Sequence, residues 1–89
     1  MSVHYKQHPE IRLTEVEDEG VVLHLGTRRY FSVTETGLTI LKTLEKPKTF
    51  DDVVKALVDE YEVSEDEAAS SAREFVDKCV EAKLLLEEE

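Results

Sequence analysis

The chain has one cysteine, Cys79, so it can form neither an internal disulfide nor a cysteine cluster that would hold zinc. Cys79 falls among Phe75, Val76 and Val80 at helical spacing and reads as a buried structural thiol, because a reactive thiol needs an open, electropositive setting. The three glycines are isolated, which excludes a glycine-rich phosphate loop. No apolar run approaches the ~20 residues that span a bilayer, and the start, Met1 to Pro9, lacks the apolar region of a secretory signal. The expected location is therefore the cytoplasm. Basic residues are scarce, 11 against 21 acidic ones, for a formal net charge of −10. Such a chain repels phosphate backbones and anionic membrane surfaces, so neither nucleic acid nor membrane is expected as a partner.

Catalytic groupings are missing too. No serine or cysteine has a nearby histidine in a recognisable motif. His4, His8 and His24 are scattered. His4 and His8 lie four apart, but Pro9 and the sparse apolar pattern argue against a helix there, so no metal site is expected. Carboxylates such as Glu65-Asp66-Glu67 sit in helix first turns, where they favour the helix dipole. No catalytic residue, cofactor or metal is expected, and the chain suits binding better than chemistry.

What is present is one domain's worth of patterned sequence, residues 1–89, with 40% apolar and 36% charged residues. Residues 1–9 read as a loose lead-in. Ile11, Leu13 and Val16 give an imperfect two-residue alternation, a first strand. Glu17 to Gly20 is a charged turn. Val21 to Leu25 follows, with Val21, Leu23 and Leu25 on one face and Val22 and His24 on the other. After Gly26-Thr27, Arg28 to Val33 forms a third strand rich in aromatic and β-branched residues.

Loop length sets the register of that hairpin. A three-residue loop, Gly26 to Arg28, pairs Leu25 with Arg29, Leu23 with Phe31 and Val21 with Val33, which gathers the apolar residues on one face. Tyr30 and Ser32 then point their N–H groups outward. A two-residue loop instead pairs Leu23 with Tyr30 and Val21 with Ser32. The apolar pattern favours the first, since a slip of one residue turns every side chain over.

The period then becomes helical. Thr34 caps a helix with the stripe Leu38, Leu41 and Leu44, ended by Pro47. Thr49 with Asp52 opens a second helix, and Ser64 with Glu67 opens a third that runs to about Lys83. The third helix carries two adjacent stripes. One is Ala68, Ala72, Phe75 and Cys79; the other is Ala69, Arg73, Val76 and Val80. The second is wider than packing demands. Leu84 to Leu86 fold back or close the core, and Glu87 to Glu89 read as a solvated tail. The fold class is α+β: a three-stranded antiparallel sheet followed by three helices. The outer edge of the third strand is left free, and an extended peptide can add to such an edge.

The ordered set Gly-Val-Val-Leu-His-Leu (20–25), Arg-Tyr-Phe-Ser-Val-Thr-Glu-Thr-Gly-Leu-Thr-Ile-Leu (29–41) and Thr-Phe-Asp-Asp-Val-Val-Lys-Ala-Leu (49–57) resembles the PqqD family, the leader-binding domains called RiPP precursor peptide recognition elements. The match runs from about Ile11 to Leu85. It implies a winged helix-turn-helix-like fold that binds no DNA. It also implies that a precursor's leader peptide adds beside Arg29 to Val33 in a cleft with the third helix. The peptide-binding residues then expected are Arg28, Arg29, Tyr30, Phe31, Ser32 and Val33, with Ala69, Ala72, Arg73, Val76 and Val80 across the cleft. A free-standing domain of this size, expected to be a monomer, looks most like the split leader-binding protein of lasso-peptide systems, which presents the precursor to a separate cysteine protease. Alternatives are the partner of a radical-SAM maturase and a winged-helix DNA-binding regulator. The regulator reading lacks basic residues on the second helix, where Asp51, Asp52, Asp59 and Glu60 accompany only Lys55. Lys83 departs from the family pattern, since relatives often have glycine there, and this bears on where the third helix ends.

Overall fold

The computed structural model describes residues 3–88. In chain order its elements are β1 (His4–Gln7), β2 (Ile11–Val16), β3 (Glu19–His24), β4 (Arg29–Val33), α1 (Glu35–Thr43), β5 (Lys48–Thr49), α2 (Phe50–Glu60), α3 (Glu65–Glu81) and β6 (Leu85–Glu88). They form an α+β fold of three helices and two antiparallel three-stranded sheets, ordered β2-β3-β4 and β5-β1-β6.

The first sheet is the expected meander, but its register differs from the one the apolar pattern favours. Gly20 pairs with Val33, Val22 with Phe31 and His24 with Arg29. This is the pairing of the two-residue alternative, opened at its tip into a four-residue loop, Leu25 to Arg28. The side facing the helices therefore carries Val22 (0% exposed) and His24 (3%), while Leu23 (38%) and Leu25 (44%) face outward. The physical reason lies at Gly20. A Cβ there would meet Leu38 Cδ1 and Val33 Cγ2, each at 2.9 Å. Leu38 of α1 packs into the space that a side chain at position 20 would fill, so this glycine, and with it every second residue of β3, faces the core.

The second sheet was not legible as such. The lead-in contains β1, and the leucine run with its acidic tail contains β6. These strands pair from His4↔Glu88 to Gln7↔Leu85, with an ion pair from Lys6 to Glu88 at 2.7 Å. β1 has one strongly buried side chain, Tyr5. It is held instead by main-chain demand: Gln7 donates its N–H to Leu44 O (2.9 Å) and its side-chain Nε2 to Leu41 O (2.6 Å). Leu44 is the C-cap of α1 and Leu41 lies in its last turn, where carbonyls lack i+4 partners; Leu41 O also takes the cap's own N–H at 3.2 Å.

The helices begin where the caps predict. Thr34 accepts from Gly37 N–H and Ser64 from Glu67 N–H. Thr49 and Asp52 form the reciprocal capping box. Its bond from the Thr49 main-chain N–H holds the Asp52 carboxyl below its ordinary pKa. The first helix ends at Thr43, ahead of Pro47. Ile40, Leu41 and Leu44 meet Val53 and Leu57 of α2 and Val76 of α3 in the core.

The third helix stops at Glu81 in a Schellman turn. Leu84 N–H reaches Cys79 O (2.8 Å) and Lys83 N–H reaches Val80 O (3.1 Å), with Lys83 at φ 64°. That left-handed conformation costs an L-residue roughly 1–2 kcal/mol. Lys83→Gly removes the strain, and glycine's greater freedom when unfolded offsets part of the gain. The substitution should raise the urea midpoint by an amount worth up to ~1 kcal/mol; a lowered midpoint would mean that the lysine side chain stabilises this turn by more than its strain costs.

Candidate functional site

Strand β4 is hydrogen-bonded on one side only, because it is the last in the order β2-β3-β4. The direction of its main-chain groups follows from two bonds at the end of β3. Leu25 donates to Glu10 O (2.8 Å), on the β2 side, and Arg28 donates to His24 O (2.7 Å), on the β4 side. Main-chain groups alternate along a strand, so Gly20, Val22 and His24 bond to β4, and Val33, Phe31 and Arg29 bond back. Tyr30 and Ser32 therefore turn their N–H and C=O groups to the open edge. These are the two residues that the three-residue loop also pointed outward. Arg29 closes the loop in both readings, so the error in register reverses β3 and leaves β4 unchanged.

Beside that edge runs a groove of about 410 Å³. Phe31, Ser32, Val33 and Thr34 form one wall, and Phe75, Lys78 and Cys79 of α3, its C-cap Ala82 and Leu84 form the other. Phe75, Lys78, Cys79 and Ala82 lie at i, i+3, i+4 and i+7, one helical stripe. Phe75 is seated over Gly37 at the start of α1, where a Cβ would come within 2.7 Å of its ring. Cys79 is 3% exposed, and burial pushes its thiol up to about 12, so it serves as an apolar surface without nucleophilic character. Lys78 stands at the rim; its pair with Glu74 (3.2 Å) joins two well-exposed side chains and holds it weakly. Among the described residues no group of three or more histidine, cysteine, aspartate or glutamate side chains could hold a metal ion.

The residues expected from the sequence divide in two. Arg29, Tyr30, Phe31, Ser32 and Val33 form the edge strand, with Arg28 at φ 60° ending the loop before it. Across the groove the stripe is a different one. Ala72 and Val76 are fully buried, and Ala69 and Val80 pack against the core from its margin. Arg73 lies over the Phe50 ring at 4.0 Å and donates to Tyr5 Oη (3.3 Å) and Asp77 Oδ1 (3.1 Å). The tyrosine hydroxyl, then Asp77, holds its guanidinium above the ordinary pKa. Arg73 thus ties α3 to β1 and α2, and none of these five residues lines the groove. The groove residues missed were Phe75, Lys78, Cys79, Ala82 and Leu84. Their spacing and the leucine just past the helix end were the available signal.

An open sheet edge beside a helix-walled apolar groove is the geometry of a receptor that takes a peptide as an added strand. The chain belongs to the PqqD family: the family model described as coenzyme PQQ synthesis protein D matches residues 19–85. Two solved structures share its fold. TbiB1 in complex with the TbiA(beta) leader peptide is 30% identical, with a TM-score of 0.80 over 90% of this chain and 93% of that one. Lasso peptide synthetase B1 complexed with the leader peptide is 24% identical, with a TM-score of 0.77 over 92% and 96%. No curated protein matches the chain significantly.

Arg73→Ala should lower stability by ~1 kcal/mol, through loss of a part-buried cation–π contact and its hydrogen bonds. Urea unfolding measures it. An unchanged midpoint would show that the guanidinium adds nothing to the packing of α3 on β1 and α2.

Proposed function

We propose that this chain is a non-catalytic recognition protein that binds the leader of a ribosomally made precursor peptide and presents it to a separate maturation enzyme. The observation that carries the reading is the pair of outward main-chain groups on Tyr30 and Ser32 directly beside an apolar groove. The complexes formed by its structural relatives support it. The leader joins the sheet as a strand beside β4. Its main chain bonds to Tyr30 and Ser32, and alternate side chains enter the groove over Phe31, Phe75 and Leu84. Four such bonds at ~1 kcal/mol each and one or two buried anchors at ~2 kcal/mol each stand against association costs of several kcal/mol. Binding in the micromolar range or tighter is expected. The chain's net charge of −10 opposes an acidic peptide, and Arg28 and Arg29 at the start of the edge strand, with Lys78 in the groove wall, offset it locally.

The partner enzyme is proposed to be the leader protease of a lasso-peptide system. The outer face of the sheet suits such a partner: Leu23 (38% exposed), Leu25 (44%) and Tyr30 (74%) stand together there without cover. An added leader strand extends that face, so an enzyme seated on it touches protein and leader at once.

Proline separates the outward donors from the inward ones, because it is tolerated in a sheet only where the missing N–H faces solvent. Ser32→Pro should keep its circular dichroism and lose binding of a labelled TbiA(beta) leader peptide, the ligand of the 30%-identical relative. Phe31→Pro should unfold the domain by removing a bond to Val22. A folded Ser32→Pro protein with undiminished affinity would rule out strand addition. Ala82→Trp should fill the groove and weaken leader binding at least tenfold, an effect of about 1.4 kcal/mol, with the fold intact; full binding by this variant would place the peptide elsewhere.

A further inference from the structure

His24 is a polar residue on an apolar face. It is 3% exposed, paired between Ile11 and Arg29, and its Nε2 is buried with no hydrogen-bond partner. A leucine would fill such a place without burying an unpartnered nitrogen, so the imidazole is poorly explained by packing alone. What it does make is one bond toward the hairpin loop: Nδ1 accepts the Thr27 N–H at 3.2 Å. The next N–H, that of Arg28, goes to the main-chain oxygen of the same residue at 2.7 Å. Two successive donors of the loop therefore end on His24, one on its side chain and one on its backbone.

The ring is itself held. It packs against His8 with centroids 4.6 Å apart and planes tilted by 46°. His8 is fixed in turn by accepting the Glu10 N–H at its Nδ1, 3.0 Å. Gly26 lies so close to the ring that a Cβ there would meet His24 Cε1 and Glu10 Oε2, each at 3.0 Å. The loop is thus clamped down to Arg28, whose left-handed φ of 60° delivers the chain into Arg29, the first residue of β4.

We propose that His24 is a positioning residue for the leader-binding edge: by holding the Thr27 N–H it fixes the loop that determines where β4 starts and how its outward groups are presented. This inference rests on the reading of β4 as the leader-binding strand. It assigns to a buried histidine, remote from the groove lining, a part in peptide affinity that exceeds its part in stability.

Two substitutions pull those quantities apart. His24→Leu removes the acceptor and the unpartnered nitrogen together. It should leave the melting midpoint equal to or above that of the parent, speed hydrogen exchange of the Thr27 amide, and weaken leader binding by about five- to tenfold, the worth of one hydrogen bond. His24→Asn keeps a short-range acceptor for Thr27 but packs worse. It should lower the midpoint yet keep the Thr27 amide protected and the affinity within about twofold of the parent, a change smaller than the loss of one hydrogen bond. His24→Met serves in place of leucine if the latter does not fold. The probe is the labelled TbiA(beta) leader peptide. Affinities that follow the melting midpoints, with leucine binding as well as the parent and asparagine worse, would overturn the proposal and leave His24 a structural residue. Ser32→Pro run alongside keeps the two readings distinct. If it loses binding while His24→Leu does not, only the role of His24 falls. If it binds fully, or the parent does not bind the peptide, the leader-binding edge itself falls and takes this inference with it.

Discussion

The packing of Leu38 and Val33 over Gly20 is the constraint on which the rest of the structure depends. With no side chain at position 20, α1 approaches the sheet closely, and Gly20 must face the helices. Because side chains alternate strictly along a strand, that one contact sends Val22 and His24 inward and Leu23 outward. It also fixes the partners of β4, since Val33 sits opposite Gly20 and Phe31 opposite Val22. Phe31 and Val33 then face α3 while Tyr30 and Ser32 present their main-chain groups to the edge. One missing side chain thus connects core packing, strand register and the orientation of the candidate binding edge.

The groove depends on a second set of contacts at the far end of the chain. α3 must stop at Glu81 for Leu84 to reach the groove wall, and the Schellman turn at Lys83 makes it stop. Leu85 then enters the core and starts β6, which pairs with β1. Strand β1 bonds to the carbonyls of Leu41 and Leu44 at the end of α1. The first and last described strands therefore secure the end of α1 and the end of α3, the helix that walls the groove, and Arg73 adds a cross-tie from α3 to Tyr5 and Phe50.

Much of this was legible in the sequence, and the failures have specific causes. The helices were readable because caps and period agree: Thr34, Thr49 and Ser64 each accept an N–H three residues on. The strand β1 was not, because His-Tyr-Lys-Gln buries one side chain deeply and is held by main-chain bonds that leave no mark on composition. Hydropathy misjudged β3 because it weighs His24 as polar and Leu23 and Leu25 as core, whereas close packing at Gly20 decides the face. On α3 the sequence pattern points the spare stripe at the groove and the other at the core. In the fold, the C-terminal half of the supposed core stripe, Phe75 and Cys79, lines the groove, while Val76 and Ala72 are sealed inside. Spacing alone could not separate two stripes one residue apart; the close seat of Phe75 over Gly37 does.

The central claim is that a leader peptide extends the sheet at β4 through the outward groups of Tyr30 and Ser32. Amide hydrogen exchange measured residue by residue, with and without the leader peptide, tests it most directly. In the free protein the Phe31 and Val33 amides, bonded to β3, should exchange slowly, and those of Tyr30 and Ser32 quickly. With leader present, Tyr30 and Ser32 should become protected while Phe31 and Val33 change little. Protection confined to the groove side of α3, with Tyr30 and Ser32 still exchanging as in the free protein, would contradict the account.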